Sequence, residues 1–398
     1  MTVQRPDHVA PERVVDFDYL APEGHAVDVH RAWARLHAPG VPDIVWTPHY
    51  GGHWIATRAA DIDAIQPGSA AFSFSSVTIP KAAQTFRVVP LEMDPPEHTP
   101  FRALLSRKFG PRPVADLEGS VRVLAVELIE GFIASGECDF VEAFAKRFPI
   151  VVFLRLVDLP LEDREELLEM AEAAVRGDTD RRNRAAGQLQ QYIGKWIHAR
   201  RSEPGTDLIS AIVNAKVHGR DYTIEETFGM MINVIFGGLD TVAGSIGFLT
   251  RHLAEHASLR QQLAADHSLI PVAIEEFLRR YGIPNTARVI TQDIDYNGVT
   301  FKAGEQIMLP KALHGLDERV YADPFIVDLK RPQSRHAAFG DGVHRCPGAG
   351  LARMELRVFL EEWLSRIPDF GLKPGHPPVT TSGQVNGILS LPLVWPAR

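Results

Sequence analysis

Residues 339–348 read FGDGVHRCPG, a stretch that sets one cysteine among three glycines directly before an amphipathic helix predicted over 348–366. Glycines allow a tight backbone with positive φ angles, so that amide groups can approach a sulfur atom closely. The N-terminus of the following helix favours a thiolate over a thiol. The stretch therefore predicts that Cys346 is an anionic metal ligand, rather than the small buried side chain that a lone cysteine usually is.

A second unusual stretch lies in the longest predicted helix, 223–255, where Gly237 and Gly238 are adjacent. Two glycines in a helix interior cost roughly 2 kcal/mol relative to alanines, so a packing or ligand reason is expected. Their small size would admit a flat cofactor, and a close crossing of two helices is the alternative. Asn233 and Thr241 share a helix face with Gly237. Asn233 therefore either faces a substrate cavity or bonds to a neighbouring helix.

The composition describes a globular protein of 398 residues, 45% hydrophobic and 23% charged. Its net charge of −8 argues against a nucleic-acid binder, which needs a basic surface. The two cysteines, Cys138 and Cys346, form no disulfide framework or multi-cysteine zinc site, and we expect Cys138 to be structural. Residues 1–17 contain no continuous apolar run, so we expect no membrane anchor and a cytoplasmic protein.

Helical periodicity dominates the chain, and short β-prone runs bounded by Gly, Pro or Asn predict small sheets beside the helices. The predicted helices are 113–134, 161–175, 179–201, 223–255 and 348–366, and the predicted strands are 44–46, 53–57, 288–291, 299–301 and 306–309. No linker or repeat divides the chain, which predicts one domain over 1–398 with a poorly ordered arm at 1–15. The long irregular stretches 66–95 and 320–347 are expected to carry function.

These features resemble the cytochrome P-450 family, and most closely its bacterial camphor-hydroxylase branch. The residues that match the haem-binding signature are Phe339, Gly342, His344, Cys346 and Gly348. The segment 237–241 is similar to the family's oxygen-activating motif, and the resemblance covers nearly the whole chain. It implies the cytochrome P-450 fold, a mainly α triangular prism with small sheets that encloses haem b, and Cys346 as the axial ligand of the iron.

The resemblance also implies roles for further residues. Asp240 and Thr241 would relay protons during oxygen activation. The residues implied to contact the haem, besides Cys346, are His98, Arg102, Arg288, His344, Phe339, Gly340 and Gly237. Arginine and histidine suit the haem carboxylates because their N–H groups make charge-assisted hydrogen bonds. The expected substrate contacts are Phe86, Asn233, Phe236, Gly237 and Thr241, and the expected structural ion network is Glu276, Arg279 and Arg331.

Two positions depart from the camphor-hydroxylase branch. Phe86 stands where camphor hydroxylases offer a tyrosine hydroxyl to the ketone of the substrate. Because phenylalanine cannot donate that hydrogen bond, the site should not favour camphor. Thr286 stands where the branch has an aspartate near a haem propionate. We expect a monooxygenase that hydroxylates a small apolar compound, with terpenoids or norisoprenoids as the first choice.

The sequence carries no flavin or dinucleotide fingerprint, so electrons are expected from an iron–sulfur ferredoxin with its reductase. A basic surface formed by Arg58, Arg102, Arg345 and Arg353 would steer that acidic partner to the cysteine side of the protein. We expect the protein to be a monomer. Two alternatives are a peroxide-driven haem-thiolate peroxygenase, which the Asp240–Thr241 pair disfavours, and a haem-carrying or ligand-sensing protein without turnover. A cysteine hydrolase is disfavoured, because Cys346 and His344 are only two residues apart.

Overall fold

The computed structural model describes residues 2–81, 87–176, 179–332 and 336–396. Helices make up about half of this part of the chain. They are α1 (Val29–Ala34), α2 (Ala59–Ile65), α3 (His98–Lys108), α4 (Pro111–Glu130), α5 (Arg147–Val157), α6 (Arg164–Arg176), α7 (Thr179–Ser202), α8 (Leu208–Val213), α9 (Ile224–Glu255), α10 (Ala257–Ala265), α11 (Ile270–Arg280), α12 (Lys311–Gly315) and α13 (Ala349–Arg366).

The strands form small sheets beside these helices. They are β1 (Ile44–Thr47), β2 (His53–Ala56), β3 (Phe72–Ser73), β4 (Glu137–Asp139), β5 (Lys216–Val217), β6 (Arg220–Asp221), β7 (Asn285–Ile290), β8 (Ile294–Tyr296), β9 (Val299–Phe301), β10 (Gln306–Pro310), β11 (Gly371–Leu372), β12 (Val379–Thr381), β13 (Gly387–Ser390) and β14 (Pro392–Val394). The largest sheet has the order β1-β2-β10-β7-β3, with β2 and β10 parallel. A three-stranded sheet, β11-β14-β4, and three two-stranded pairs complete the set.

Helix α9 runs through the core. It begins with a capping box, in which the Thr223 side chain accepts from the Glu226 amide and the Glu226 side chain accepts from the Thr223 amide. The helix continues unbroken through Gly237 and Gly238 and packs against α5 and β13. Among the described residues it alone is long and apolar enough to cross a bilayer, a property that buried core helices share.

An aromatic cluster anchors α13, the helix that follows the cysteine. Phe140, Phe144, Phe359 and Trp363 are all buried, and their ring centroids lie 5.0 to 6.4 Å apart. Burial of such rings dominates core energetics. Because α13 also packs on α4 and α11, its N-terminal end, where the cysteine loop enters, is fixed against the core.

The prediction of a mainly α protein with small sheets is confirmed, and the N-terminal segment differs from expectation. The predicted arm at 1–15 packs along β1 over its described part. Val9 is fully buried, and the backbone amides of Val3 and Val15 donate to the carbonyls of Pro48 and Trp46 at 2.9 Å. Apolar burial and these hydrogen bonds tie the segment to the sheet.

Candidate active site

The loop before Cys346 has a backbone that glycine makes possible. Gly340 and Gly342 adopt φ angles of +70° and +67°, in the left-handed region. A Cβ added to Gly342 would lie 3.0 Å from the Cβ of Pro67, so the loop also needs the space that glycine leaves. The Cys346 amide donates to the Phe339 carbonyl at 2.8 Å. The loop thus closes on itself and delivers the cysteine to the start of α13.

The electrostatic surroundings of the two cysteines differ. Burial raises the pKa of the Cys346 thiol, while the Gly348 amide and the positive charges of Arg102 and Arg353 lower it without overcoming the effect of burial. A metal cation is the partner that would stabilise this sulfur as a thiolate. Burial, with Asp139 nearby, raises the pKa of Cys138 in β4 to about 12, so that thiol is unreactive.

Cys346 lines a cavity of about 310 Å³. This volume falls within the range of small-molecule sites. Both long irregular stretches of the sequence contribute to its lining, as does the central part of α9. The predicted site residues that line it are Cys346, Phe339, Gly340, His344, Arg102, Arg288, Asn233, Gly237 and Thr241. The cavity therefore brings together most of the residues singled out in the sequence.

Buried nitrogen atoms without acceptors lie at this cavity, on Arg288, and next to it, on His98, whose ring centroid is 4.1 Å from that of the lining residue His344. Arg288 is buried, and its Nε has no hydrogen-bond partner among the described residues. His98 is also buried, and neither ring nitrogen has a partner in the described part of the chain. Phe74 stacks against Arg288 and also against His344: the Arg288 guanidinium and the His344 ring each lie 3.6 Å from its ring centroid. Donors left unpaired in this way fit a ligand with carboxylates.

Burial also shifts the pKa values of these groups. It lowers the pKa of Arg288 to about 9. Burial, with the charges of His98 and Arg288, lowers the pKa of His344 to about 3, although the His344 ring bonds the Met93 carbonyl at 2.8 Å. Both shifts arise first from burial, and for His344 also from neighbouring basic groups, so a carboxylate placed beside these side chains would favour their protonated forms. A haem, whose edge carries two propionates, fits this donor set and the apolar cavity beside it.

The glycines of α9 leave open space on the cavity side. A Cβ added to Gly237 or Gly238 would meet no atom within 4 Å outside the helix. The Thr241 hydroxyl donates to the Gly237 carbonyl at 2.9 Å. Asn233 combines the two roles considered for it, because it lines the cavity and its Nδ2 donates to the Val89 carbonyl at 3.2 Å. Asp240 is half-buried and is not part of the lining.

Two expected substrate contacts are not placed at the cavity. Phe86 lies outside the described residues. Phe236 packs against the hydrophobic core and is not part of the cavity lining, because it points away from the helix face that carries Gly237 and Thr241. The neighbouring Val234 lines the cavity instead.

The polar residues of the lining that were missed in the sequence include Gln66, Lys311 and Glu355. Each lies among apolar neighbours, which is the signal that could have found them. Glu355 sits on the apolar face of α13 one turn after Leu351, and burial raises the pKa of its carboxyl well above the usual value. Lys311 directly follows the buried strand β10.

The proposed basic surface needs one correction. Arg58 is only 5% exposed, and its Nη1 lies 3.1 Å from Asp317 and 2.8 Å from Glu318. Its assignment to a docking surface is wrong, because the Arg58 side chain is buried and its charge is paired with these two carboxylates. Arg345 is exposed, and its carbonyl accepts a hydrogen bond from Arg102. Arg353 bonds Glu275 at 2.6 Å and remains partly exposed.

Glu276, Arg279 and Arg331 lie together at the C-terminal end of α11. Glu276 accepts from Arg279 at 2.8 Å and from Arg331 at 2.9 Å. Arg279 also donates to the carbonyls of Gly315, Pro324 and Ile326. These bonds attach the irregular stretch before the cysteine loop to α11.

The chain matches known proteins over its whole length. Residues 173–392 match the sequence profile of the family described as Cytochrome P450. A probable cytochrome P450 127A1 of Sinorhizobium fredii is 35% identical over 98% of this chain and 96% of its own length. Nocardicin C N-oxygenase of Nocardia uniformis subsp. tsuyamanensis is 31% identical over 93% of this chain and 96% of its own length.

A solved structure gives the same result. The crystal structure of CYP101J2 superposes with a TM-score of 0.91 and 40% identity, and the match covers 99% of this chain and 100% of that one. The resemblance to the camphor-hydroxylase branch is thereby confirmed. Sequence and structure together assign the chain to the cytochrome P450 family, as a monooxygenase that carries haem b.

Proposed function

We propose that Cys346 is the axial thiolate ligand of the haem and that the enzyme hydroxylates a small apolar substrate with dioxygen. The observation that carries the proposal is that Cys346 and Thr241 line one cavity, whose other lining residues are mostly hydrophobic. A haem with a thiolate ligand supplies the electron density that favours O–O bond cleavage.

The residues of this chain would hold the haem at two places. The cysteine loop contributes the Cys346 sulfur from the start of α13, with Phe339 and Gly340 lining the cavity beside it. His98, Arg102, Arg288 and His344 would donate hydrogen bonds to the propionates, the two arginines as buried cations and the two histidines through ring N–H groups, whose protonated form a nearby carboxylate favours.

The residues of α9 would serve oxygen activation. Gly237 and Gly238 leave space beside the helix, and the Thr241 hydroxyl lies at that space, with its proton donated to the Gly237 carbonyl. In that arrangement the Thr241 oxygen would accept a hydrogen bond from a water molecule in the cavity. We propose that Asp240 supplies protons and that Thr241 positions them.

The substrate would be a terpenoid or norisoprenoid. Apolar side chains such as Val77, Leu91 and Val242 line the cavity, and a pocket of this kind selects by shape and apolar contact. Members of both compound classes are small enough for such a site and carry few polar groups.

Substrate binding can be tested by the shift in haem spin state on adding monoterpenes, norisoprenoids, camphor and fatty acids of matched carbon number. Norisoprenoids, or terpenoids other than camphor, are expected to give the larger shifts at lower concentration than camphor. Val77→Phe should weaken this binding by filling the cavity, whereas Val123→Phe, at a position 54% exposed, should leave it unchanged. A shift produced by fatty acids alone would contradict the proposed substrate class.

We also propose an iron–sulfur ferredoxin with its reductase as the electron donor. The exposed Arg345, with the partly exposed Arg353, places positive charge near the cysteine loop and so suits an acidic protein. Turnover with hydrogen peroxide alone, equal to that with ferredoxin, would favour the peroxygenase alternative.

A single-domain monomer in the cytoplasm stays our prediction, and size-exclusion chromatography of the purified protein tests its oligomeric state.

A further inference from the structure

Lys311 is a buried lysine that the proposed reaction does not use. It begins α12, is 4% exposed and lines the same cavity as Cys346. Its backbone is held closely, because its amide donates to the Pro284 carbonyl at 3.0 Å. A Cβ added to Gly282 would lie 2.4 Å from the Lys311 carbonyl oxygen, so Gly282 is required for this approach.

The side chain of Lys311 belongs to a compact polar cluster, which we call the Lys311 cluster: Gln66, Arg288 and Lys311. Lys311 Nζ donates to the side-chain oxygen of Gln66, and Arg288 Nη2 donates to the backbone oxygen of Gln66. All three residues are buried and line the cavity. One neutral glutamine therefore holds two cationic side chains next to each other.

The charges of the Lys311 cluster are not balanced. Burial, together with the charge of Arg288, lowers the pKa of Lys311 well below its usual value. The carboxylates that favour the two cations are bonded elsewhere: Asp63 to His314 at 3.1 Å and Asp94 to Ser73 and to the Phe74 amide. Among the described residues no carboxylate bonds the side chain of Lys311 or Arg288, so the cluster has no bonded counter-ion there. Buried charges are stabilised by such a partner.

We infer that Lys311 is a further haem-binding residue, whose ammonium binds a propionate carboxylate together with Arg288, with Gln66 as the residue that positions both. Thr286 lines the same cavity and carries no charge, so it does not compete for the two cations. The inference rests on the proposed haem site, because it is the haem that brings the carboxylate. It predicts that this protein retains its haem through a lysine at this position.

The alternative is that Lys311 only links α12 to α2 through its bond to Gln66. The two roles respond differently to substitution. Lys311→Gln can keep a hydrogen bond to Gln66 but removes the charge, whereas Lys311→Arg keeps the charge in a side chain of similar reach. Lys311→Met removes both.

The experiment measures the rate at which the holoprotein of each variant transfers haem to excess apomyoglobin, with the propionate bending bands in the resonance Raman spectrum as a second readout. We expect Lys311→Met and Lys311→Gln to release haem at least roughly ten-fold faster, the effect of one lost charge-assisted hydrogen bond. Lys311→Arg should stay near the wild-type rate. Lys302→Met is the matched control, since Lys302 is exposed and bonds Asp293.

A wild-type rate and an unchanged Raman spectrum in Lys311→Gln would overturn the inference. The carbon monoxide spectrum of the reduced variants separates this result from a failure of the haem site itself. If wild type and Lys311→Gln both show the thiolate-type band, the haem site stands and only the role of Lys311 is rejected. If wild type lacks that band, both proposals are overturned.

Discussion

At the scale of single residues, burial disfavours the charged forms of both acidic and basic side chains around one cavity. It raises the pKa of the Cys346 thiol and lowers the pKa values of Lys311 and Arg288, so each group is driven toward its neutral form. A ligand with a cationic centre and carboxylates at its edge would stabilise all three in their charged forms. The site is therefore electrostatically incomplete in the protein alone.

Thr241→Ala tests the role of the hydroxyl on α9. The variant should keep its haem but form product with roughly ten-fold poorer coupling, because a positioned proton carrier is lost, and reducing equivalents should appear as hydrogen peroxide. Peroxide and product are measured per electron pair delivered by the ferredoxin and its reductase. Thr250→Ala is the control, since the Thr250 hydroxyl also donates to the carbonyl four residues earlier on α9 but does not line the cavity. Unchanged coupling in Thr241→Ala would remove Thr241 from the mechanism.

At the scale of secondary-structure elements, Gly229 sets the distance between α9 and the segment 87–89. A Cβ at this position would lie 2.1 Å from the Arg87 carbonyl oxygen, and Asn233 bonds Val89 one turn later. Gly229→Ala should therefore displace the segment and destabilise the fold by about 1–3 kcal/mol in urea denaturation. Gly119→Ala, on an exposed face of α4 with nothing near its Cβ, should instead stabilise by about 0.5–1 kcal/mol. Equal effects of the two substitutions would contradict this packing account.

The ion pairs of Glu276 with Arg279 and Arg331 are expected to stabilise the fold. Arg279→Met leaves the buried Glu276 with one fewer partner and should cost about 3–5 kcal/mol. Arg35→Met, which breaks an exposed pair with Glu23, should cost less than about 1 kcal/mol. Urea denaturation measures both. Comparable losses in the two variants would contradict the network's role.

The pH dependence of that network has a defined sign. Burial raises the pKa of Glu276, but its hydrogen bonds to Arg279 and Arg331 lower that pKa by more than burial raises it. The pKa of Glu276 is therefore below the usual value of 4.5. A carboxyl with a lowered pKa stabilises the folded state above its unfolded-state pKa and loses that contribution as the pH falls through the folded-state value. The stability difference between wild type and Arg279→Met should therefore be full at neutral pH and shrink below about pH 4.5. A difference that grows in acid would contradict the assignment.

A helix or strand could be predicted from the sequence where only one of its faces is buried. The prediction for 223–255 matches Ile224–Glu255, and that for 348–366 matches Ala349–Arg366, because both helices carry a regular apolar face. Helix α5 (Arg147–Val157) was missed because it is buried on nearly every side and therefore has little polar and apolar alternation. For similar reasons, strand β7 begins three residues before its predicted start.

At the scale of the whole molecule, the site is assembled from distant parts of the chain. The cysteine loop could be predicted because its glycines and its cysteine are adjacent in sequence. Gln66, Lys311 and Glu355 come from three separate places in the chain, and tertiary packing alone brings them to one cavity. Such a relation depends on tertiary packing, which local sequence patterns do not contain.

The charge distribution of the whole molecule bears on electron supply. Against a net charge of −8, the exposed Arg345 beside the cysteine loop is a local basic position. Arg345→Glu should slow ferredoxin-supported reduction roughly ten-fold at low salt, with a smaller effect at high salt, because steering charges are screened. Stopped-flow reduction measures this, and Arg220→Glu, on the exposed β6, serves as control. Equal effects of both substitutions would exclude a specific docking role for Arg345.

The most direct test of the central claim is the carbon monoxide difference spectrum of the dithionite-reduced protein, recorded with Cys346→Ser and Cys138→Ser beside it. If Cys346 is the axial ligand, wild type and Cys138→Ser show the red-shifted Soret band of a thiolate-ligated haem, and Cys346→Ser does not. A spectrum without that band in wild type, or the same band in Cys346→Ser, would contradict the assignment of Cys346.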